Sequence, residues 1–174
     1  MSTPTSVDPQ TMRRTIGRFA TGVAVVTVLD GDEPHGMTVN SLTSVSLEPP
    51  LLLVCLTTGA RTTDAVVRAG RFAVNILGAR QEEIALRFAR RGANHFDGLP
   101  LLYGDEGVHA VPVVPDALAH LECTIDRHFE AGDHVVVIGH VQQVCDRAGA
   151  PLAFLGGRFG DLVERGEEPE HWFF

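Results

Sequence analysis

The alternation of apolar and polar residues divides this chain into short strands interrupted by two or three helices. Asp8-Pro9 pairs a capping side chain with proline at the first helical position. Met12, Ile16 and Phe19 then recur at helical spacing, which predicts an amphipathic helix over 9–20 ended by Thr21-Gly22. Residues 23–29 (VAVVTVL) form a β-branched strand, and DGDEPHG turns the chain back as a hairpin. The segment that follows, GMTVNSLTSVSLEPP, starts and ends with strand alternation: Met37 and Val39 against Thr38 and Asn40, then Val45 and Leu47 against Ser44 and Ser46. Between them the alternation fails at Ser41-Leu42-Thr43, which predicts a bulge or tight bend. Directly after it, residues 51–56 (LLLVCL) form an unbroken apolar run, expected to be a strand buried on both faces.

Downstream, a Thr/Gly-rich loop leads into a short helix over 62–69, followed by a strand over 72–77. A helix is expected over 80–91, with Ile84, Ala85 and Phe88 inward and arginines at its C-terminal end, where they complement the helix dipole. A loop rich in Gly, Asn, Asp and Pro covers 92–116, and strands are expected at 117–129, 133–146 and 151–155. The end of the chain turns acidic and then aromatic at Trp172-Phe173-Phe174, a segment suited to packing on a partner subunit. Hairpins without a βαβ unit, no GxGxxG, no repeat and no internal boundary predict one domain over 1–174, with its core over about 12–160 and a tail over 161–174. The expected architecture is mainly β: a small antiparallel barrel with peripheral helices.

Composition narrows the function. Hydrophobic residues at 44% with 21% charged describe a globular chain, and no apolar run reaches membrane-spanning length. The N-terminus lacks the basic and apolar regions of a signal peptide, so a cytoplasmic protein is expected, without a membrane. A net charge of −8 argues against a nucleic-acid surface. Arginine supplies all 14 basic residues, which excludes a lysine Schiff base or a P-loop lysine. Cys55, Cys123 and Cys145 are far apart, odd in number and in apolar strand-like segments, so they are expected as small core residues.

Candidate chemistry follows from the polar positions. The short uncharged hydrogen-bonders at the 41–43 break (Thr38, Asn40, Ser41, Thr43, Ser44 and Ser46) form a ledge beside an apolar strand. Such a ledge suits a flat, partly polar ligand, and it suits equally a Ser/Thr-rich sheet face in water. Arg61, Thr62 and Thr63 stand at the start of a helix after Gly59. They supply the parts of a phosphate site, although a plain N-cap needs only one threonine. Gly132-Asp133-His134 makes a turn that needs glycine in any case, with an imidazole placed to enter a cleft. No metal site is expected: His128, His134 and His140 are split by the Gly132 turn, and His35, His95, His109, His120 and His171 are scattered. There is no GxSxG, and Glu82-Glu83 and Glu167-Glu168 sit in solvated contexts.

Taken in order, a set of segments resembles the short flavin reductases, the reductase components of two-component flavin-dependent monooxygenases. They are Phe19-Ala20-Thr21-Gly22-Val23, the whole GMTVNSLTSVSLEPPLLLVCL stretch, Phe72-Ala73-Val74-Asn75-Ile76-Leu77, Phe96-Asp97-Gly98, Leu121-Glu122-Cys123, Gly132-Asp133-His134 and Gly157-Arg158-Phe159. The resemblance implies a homodimeric split-barrel fold in which NADH or NADPH reduces FMN or FAD, and the reduced flavin diffuses to a monooxygenase. It implies further that Thr38, Val39, Asn40 and Ser41 hydrogen-bond the isoalloxazine edge, largely through backbone groups, with Ser44 and Val45 on the same ledge. Cys55, Leu56 and Thr57 would flank the ring and ribityl chain, and Arg61, Thr62 and Thr63 would meet the phosphate. His134 would position the nicotinamide without being a strict acid or base, and Arg158 and Phe159 would help hold the dinucleotide. Ala60 departs from the serine common in that family, which leaves FMN and FAD both open. With no lysine and few spare arginines, a 2′-phosphate pocket has few donors, which favours NADH. Two rivals stand beside this reading: an oxidoreductase that retains its flavin for its own substrate, and a non-enzymatic flavin carrier.

Overall fold

The computed structural model describes residues 7–92, 94–103 and 111–163. His109, His171, the pair Glu167-Glu168 and the aromatic end Trp172-Phe173-Phe174 lie outside the described residues. The chain runs α1 (Pro9–Ile16), β1 (Thr21–Gly22), β2 (Ala24–Asp30), β3 (Glu33–Val39), β4 (Thr43–Leu47), β5 (Pro50–Thr57), α2 (Arg61–Ala69) and β6 (Arg71–Ile76). It continues through α3 (Glu82–Ala89), β7 (Leu102–Tyr103), β8 (Pro112–Val113), β9 (Ala119–Ala131), β10 (His134–Asp146), β11 (Leu152–Leu155) and β12 (Arg158–Asp161).

Seven strands form one antiparallel sheet in the order β3-β2-β6-β9-β10-β5-β4. The sheet curls until β3 meets β5, and α2 packs on β2, β3 and β6. This is the expected split antiparallel barrel: curled round a core, with its edge strands β3 and β4 not paired to each other. Val26, Val54, Leu56, Val66, Phe72 and Val137 fill the interior. A second cluster, including Val25, Leu77, Phe88 and Leu152, seals the opposite side of β2 beneath α3 and β11. The β1-β11-β12 sheet stands apart from the seven-stranded one.

Four expectations change. Burial on both faces belongs to β2, whose first five residues are all buried, and to Phe72 through Asn75 of β6, and not to 51–56. β5 alternates: Leu52, Val54 and Leu56 point inward, while Leu51, Leu53 and Cys55 are half-buried. The physical reason is packing on the faces: β2 meets one cluster through Ala24, Val26 and Val28 and another through Val25, whereas β5 meets a cluster on one face alone, through Leu52, Val54 and Leu56. The first helix stops at Ile16, capped at its start by the Asp8 carboxylate, which accepts from the Thr11 amide at 2.8 Å. It ends at the Gly17 C-cap in tight turns, the Arg18 and Phe19 amides donating to the Thr15 and Ile16 carbonyls, and the Gly17 carbonyl accepts from the Gly156 amide at 2.8 Å, tying the chain to the β11–β12 turn. Its apolar side is uncovered, with Met12 55%, Ile16 58% and Phe19 72% exposed. The 92–116 loop contains the small β7–β8 pair, and a further strand, β12, follows 151–155. Of the cysteines only Cys123 is buried; Cys55 is half-buried and Cys145 exposed.

One buried polar knot pins the loop before β9 to the barrel. Asn75 Nδ2 donates to the Val25 carbonyl and to Thr27 Oγ1, both at 3.0 Å, and Asn75 Oδ1 accepts from the Val114 amide at 2.8 Å. The Thr27 hydroxyl in turn donates to the Pro112 carbonyl. Both side chains are fully buried, so each polar atom needs such a partner.

Candidate functional site

The break at 41–43 is real, and its side chains are mostly committed inside the fold. The Ser41 hydroxyl accepts from the Cys55 amide at 2.9 Å and donates to the Cys55 carbonyl at 3.0 Å, standing in for a missing rung between the bend and β5. The Thr38 hydroxyl donates to the Ala85 carbonyl of α3 at 2.7 Å, and Asn40 Nδ2 donates to Thr21 Oγ1 at 3.3 Å. The β4–β5 register shifts between Ser44 and Ser46, and Val45 is 46% exposed. Val39 and Leu56 point into the core, so their side chains are withdrawn from this surface. What the ledge offers a ligand is therefore chiefly backbone, with the exposed Ser44 and the half-buried Cys55 and Thr57 beside it.

Helix α2 opens next to the end of β5. Gly59, at φ +73°, turns the chain, and the N-cap Ala60 provides no side-chain cap. The first helical bond runs from the Asp64 amide to the Ala60 carbonyl at 3.1 Å, so the amides of Arg61, Thr62 and Thr63 precede it. The two threonine hydroxyls are turned inward instead: Thr62 donates to the Gly36 carbonyl at 3.1 Å and Thr63 to the Thr57 carbonyl at 2.7 Å. An anion here would meet amides and the Arg61 guanidinium, not hydroxyl protons.

His134 stands opposite Thr57 in the β5–β10 register. Its Nδ1 lies 2.7 Å from Asp133 Oδ1, and that hydrogen bond holds the Asp133 carboxyl below its usual range. An ionised acceptor requires Nδ1 to carry the proton, which leaves Nε2 free. The Thr58 amide donates to the Asp133 carbonyl at 3.0 Å, locking this turn to the loop before α2. Arg158 and Phe159 sit on β12, Arg158 exposed and Phe159 packed on Phe154 with centroids 5.4 Å apart.

A cavity of about 850 Å³ opens beside the α2 terminus, between β3, the β5–α2 loop and the end of α3. It gathers Thr38, Thr57, Arg61 and Thr62 of the expected site, while Asn40, Ser41, Ser44, Val45, Cys55, His134, Arg158 and Phe159 are not on its wall. Its far wall carries three residues that sequence reasoning left to the helix dipole or did not place: Arg90, Arg91 and His95. Helix α3 ends at Ala89, and Arg90 is already extended at φ −75°, ψ 139°, so these side chains lie beyond the helix. His95 Nε2 donates to the Arg90 carbonyl at 2.7 Å, and its ring tilts against Phe88 at 5.3 Å. The Arg-Arg-Gly run that ends the helical pattern was the available signal. Among the described residues none of Arg61, Arg90 and Arg91 has a carboxylate partner, so spare arginines are present after all.

Residues 16–162 match the family model described as flavin reductase like domain. An NADH-dependent flavin reductase of a Rhodococcus species is 40% identical over 171 residues, covering 97% of this chain and 94% of that protein. The reductase subunit of a flavin-dependent monooxygenase of Mycobacterium tuberculosis is 33% identical over 169 residues, covering 95% of this chain and 89% of its own. Among solved structures, the NADH:FAD oxidoreductase of Streptomyces globisporus, in complex with NAD and FAD fragments, is similar at a TM-score of 0.84 and 41% identity. That match covers 94% of this chain and 99% of the other.

Proposed function

This chain belongs to the family of flavin reductase like domains, and from that premise we propose how its residues use NADH to reduce a diffusible flavin for a partner monooxygenase. It is an NAD(P)H-dependent flavin reductase. When bound, the nicotinamide supplies a hydride and the flavin accepts it, so the hard chemistry is the cofactors' own. The chain's task is to hold two flat rings in register and to offer donors where negative charge develops.

The residues present fit a flavin mononucleotide. The backbone of Thr38 to Ser41 meets the isoalloxazine edge, with Ser44 and Val45 completing the ledge. Cys55 and Thr57 flank the ring and ribityl chain, Leu56 acting only through its backbone because its side chain is in the core. The amides of Arg61, Thr62 and Thr63, with the Arg61 guanidinium, hold the phosphate. The observation that carries this reading is the uncapped start of α2, open onto a large cavity at the end of the strand that follows the ledge. His134 presents Nε2 beside Thr57 and positions the nicotinamide carboxamide, its ring fixed by the ionised Asp133. Arg158 and Phe159 steady the dinucleotide from β12.

A homodimer completes the site. The support is apolar surface on the flavin side of the sheet: Leu51 and Leu53 half-buried on the outer face of β5, Val45 and Leu47 exposed on β4. No helix among the described residues is long and apolar enough to cross a membrane. The partner oxygenase is inferred from relatives such as the Mycobacterium tuberculosis reductase subunit.

The test is loss of absorbance at the reduced-nicotinamide band, for NADH and NADPH separately, with catalytic FMN, FAD or riboflavin added or withheld. Oxidation that depends on added flavin, and is faster with NADH, is the expected result. Flavin binding without oxidation in any combination would overturn the proposal in favour of a carrier.

A further inference from the structure

The uncovered side of α1 continues toward the β11–β12 turn. Met12, Ile16 and Phe19 are exposed along the helix and the turn that follows it. Leu155 is exposed as well, and its neighbour Gly156 donates its amide to the Gly17 carbonyl. Spacing of four residues puts Met12 and Ile16 on one side of the helix, and no residue of α1 is buried. Apolar residues scattered singly over a surface need no partner, but four gathered about one helix end mark a contact face. That face is also cationic. Arg13 and Arg14 stand in the last turn of α1 and Arg18 just after it, and among the described residues none of the three has a carboxylate partner. A two-fold contact of this helix with its own copy would set these arginines against the same three, which disfavours a second copy of α1 as the cover.

Residues 164–174 lie outside the described residues, and their composition complements that face in both respects. Glu164, Glu167, Glu168 and Glu170 stand against one arginine, and Trp172-Phe173-Phe174 follow. The segment is also tethered within reach. β12 leaves the turn held to Gly17 and runs about 13 Å to Asp161. Residues 164–171 extend to about 26 Å. That length suffices to return along β12 and follow α1, which is about 12 Å long. Such a tether supplies an effective concentration on the order of millimolar, so weak contacts are enough to hold the segment.

We propose that residues 164–174 seat on the apolar face of α1 in the same chain, with Trp172-Phe173-Phe174 against Met12, Ile16 and Phe19 and the glutamates toward Arg13, Arg14 and Arg18. The aromatic rings supply the burial, and an indole beside guanidinium groups gains cation–π attraction. Exposed ion pairs contribute little and are screened by salt, so their part is to orient the segment.

Trp172 is the only tryptophan in the chain, so its fluorescence reads the seat directly. Emission and acrylamide quenching are measured on the full chain, with no flavin or nicotinamide added, for the wild type, Met12→Ser/Ile16→Ser/Phe19→Ser and Phe173→Ser/Phe174→Ser. Light scattering gives the mass of each in solution. The three α1 side chains are exposed, and an unchanged melting temperature checks that their variant is folded. The wild type should emit to the blue of free tryptophan, and both variants should shift to the red and quench several-fold more, at unchanged mass. Arg13→Glu/Arg14→Glu/Arg18→Glu should give part of that shift, and added salt should narrow its difference from the wild type. If the α1 serine variant melts lower, the Phe173/Phe174 and arginine variants decide. Water-like emission in the wild type, or emission that the variants leave unmoved, overturns the proposal. A red shift with a fall in mass overturns the same-chain seat and places the segment on a neighbouring copy. A fall in mass without a shift gives the face to a second copy itself.

Discussion

Replacing Asn75 should cost this fold more stability than any comparably small change on the ledge. Asn75 serves three buried partners: the Val25 carbonyl, Thr27 Oγ1 and the Val114 amide. In Asn75→Leu the volume is nearly kept, the Val114 amide loses its acceptor, and the Val25 carbonyl and Thr27 Oγ1 each lose a donor, Thr27 keeping its bond to the Pro112 carbonyl. A buried polar group left without a partner costs about 1–3 kcal/mol, so with partial relaxation the expected loss is about 3–5 kcal/mol. Against a typical total of about 5–15 kcal/mol this is a large fraction, and it should lower the melting temperature by about 10 °C. Asn75→Asp separates the contributions. Its carboxylate keeps an acceptor for the Val114 amide but sets a negative charge against the Val25 carbonyl oxygen, and burial pushes the carboxyl's pKa up. A group with a raised folded pKa contributes its stability below its unfolded value, about 4, and loses it as pH rises through the folded value. The stability of Asn75→Asp relative to Asn75→Leu should therefore fall between about pH 4 and pH 8. Urea unfolding of both proteins across that range measures it. A loss below about 1 kcal/mol for Asn75→Leu would refute the assignment of Asn75 as a three-way hub, and a pH-independent difference would refute the charge argument.

Three further outcomes follow from the geometry. A Cβ on Gly36 would lie 2.6 Å from Phe88 Cε1, so Gly36→Val should cost about 1–3 kcal/mol and loosen flavin binding by shifting α3, measurable by denaturation and fluorescence titration; unchanged values for both would sink the idea. His134→Ala should raise the KM for NADH several-fold while turnover persists at saturation, because hydride transfer needs no ionisable side chain; complete loss of activity with flavin still bound would instead make His134 a catalyst. Burial, and then the neighbouring Glu122 charge, push the Cys123 thiol up to about 12, so the native protein at pH 8 should alkylate at Cys145 and leave Cys123 untouched, as peptide mass mapping would report.

Local rules carried much of the fold. Asp8-Pro9 starts a helix, the alternation fails where Ser41 replaces a strand rung, and Gly132 turns β9 into β10. What stayed hidden was set by neighbours far along the chain. LLLVCL reads as a doubly buried strand, yet only the tertiary packing reveals that β5 meets a cluster on one face while β2 is enclosed by two. Likewise the glycine that caps α1 after Ile16 is visible in the sequence, whereas the Gly156 amide that takes the Gly17 carbonyl, 139 residues later, is not. The threonines after Gly59 read as phosphate ligands because their hydroxyls are visible in sequence, and the Gly36 and Thr57 carbonyls that claim them are not. The end of α3 was hidden too: helical periodicity continues past Ala89, and the extended backbone at Arg90 is invisible to it.

These commitments bear on how a reductase that releases its flavin would be built. Side-chain hydroxyls spent on Ala85, Cys55, Gly36 and Thr57 hold the ledge rigid and leave recognition to backbone groups. Neutral hydrogen bonds of that kind each contribute only about 0.5–1.5 kcal/mol net, enough to orient a ring without retaining it. The cations are placed elsewhere: Arg61, Arg90 and Arg91 line the cavity, without a carboxylate partner among the described residues, and on an acidic protein such a mouth attracts anions. Attraction that acts through exposed charge speeds arrival and is screened by salt, so it adds less to residence than to encounter. In the proposed arrangement, a neutral, rigid ring site joined to a charged, open phosphate site therefore favours fast exchange, which a protein that hands its product to another enzyme requires.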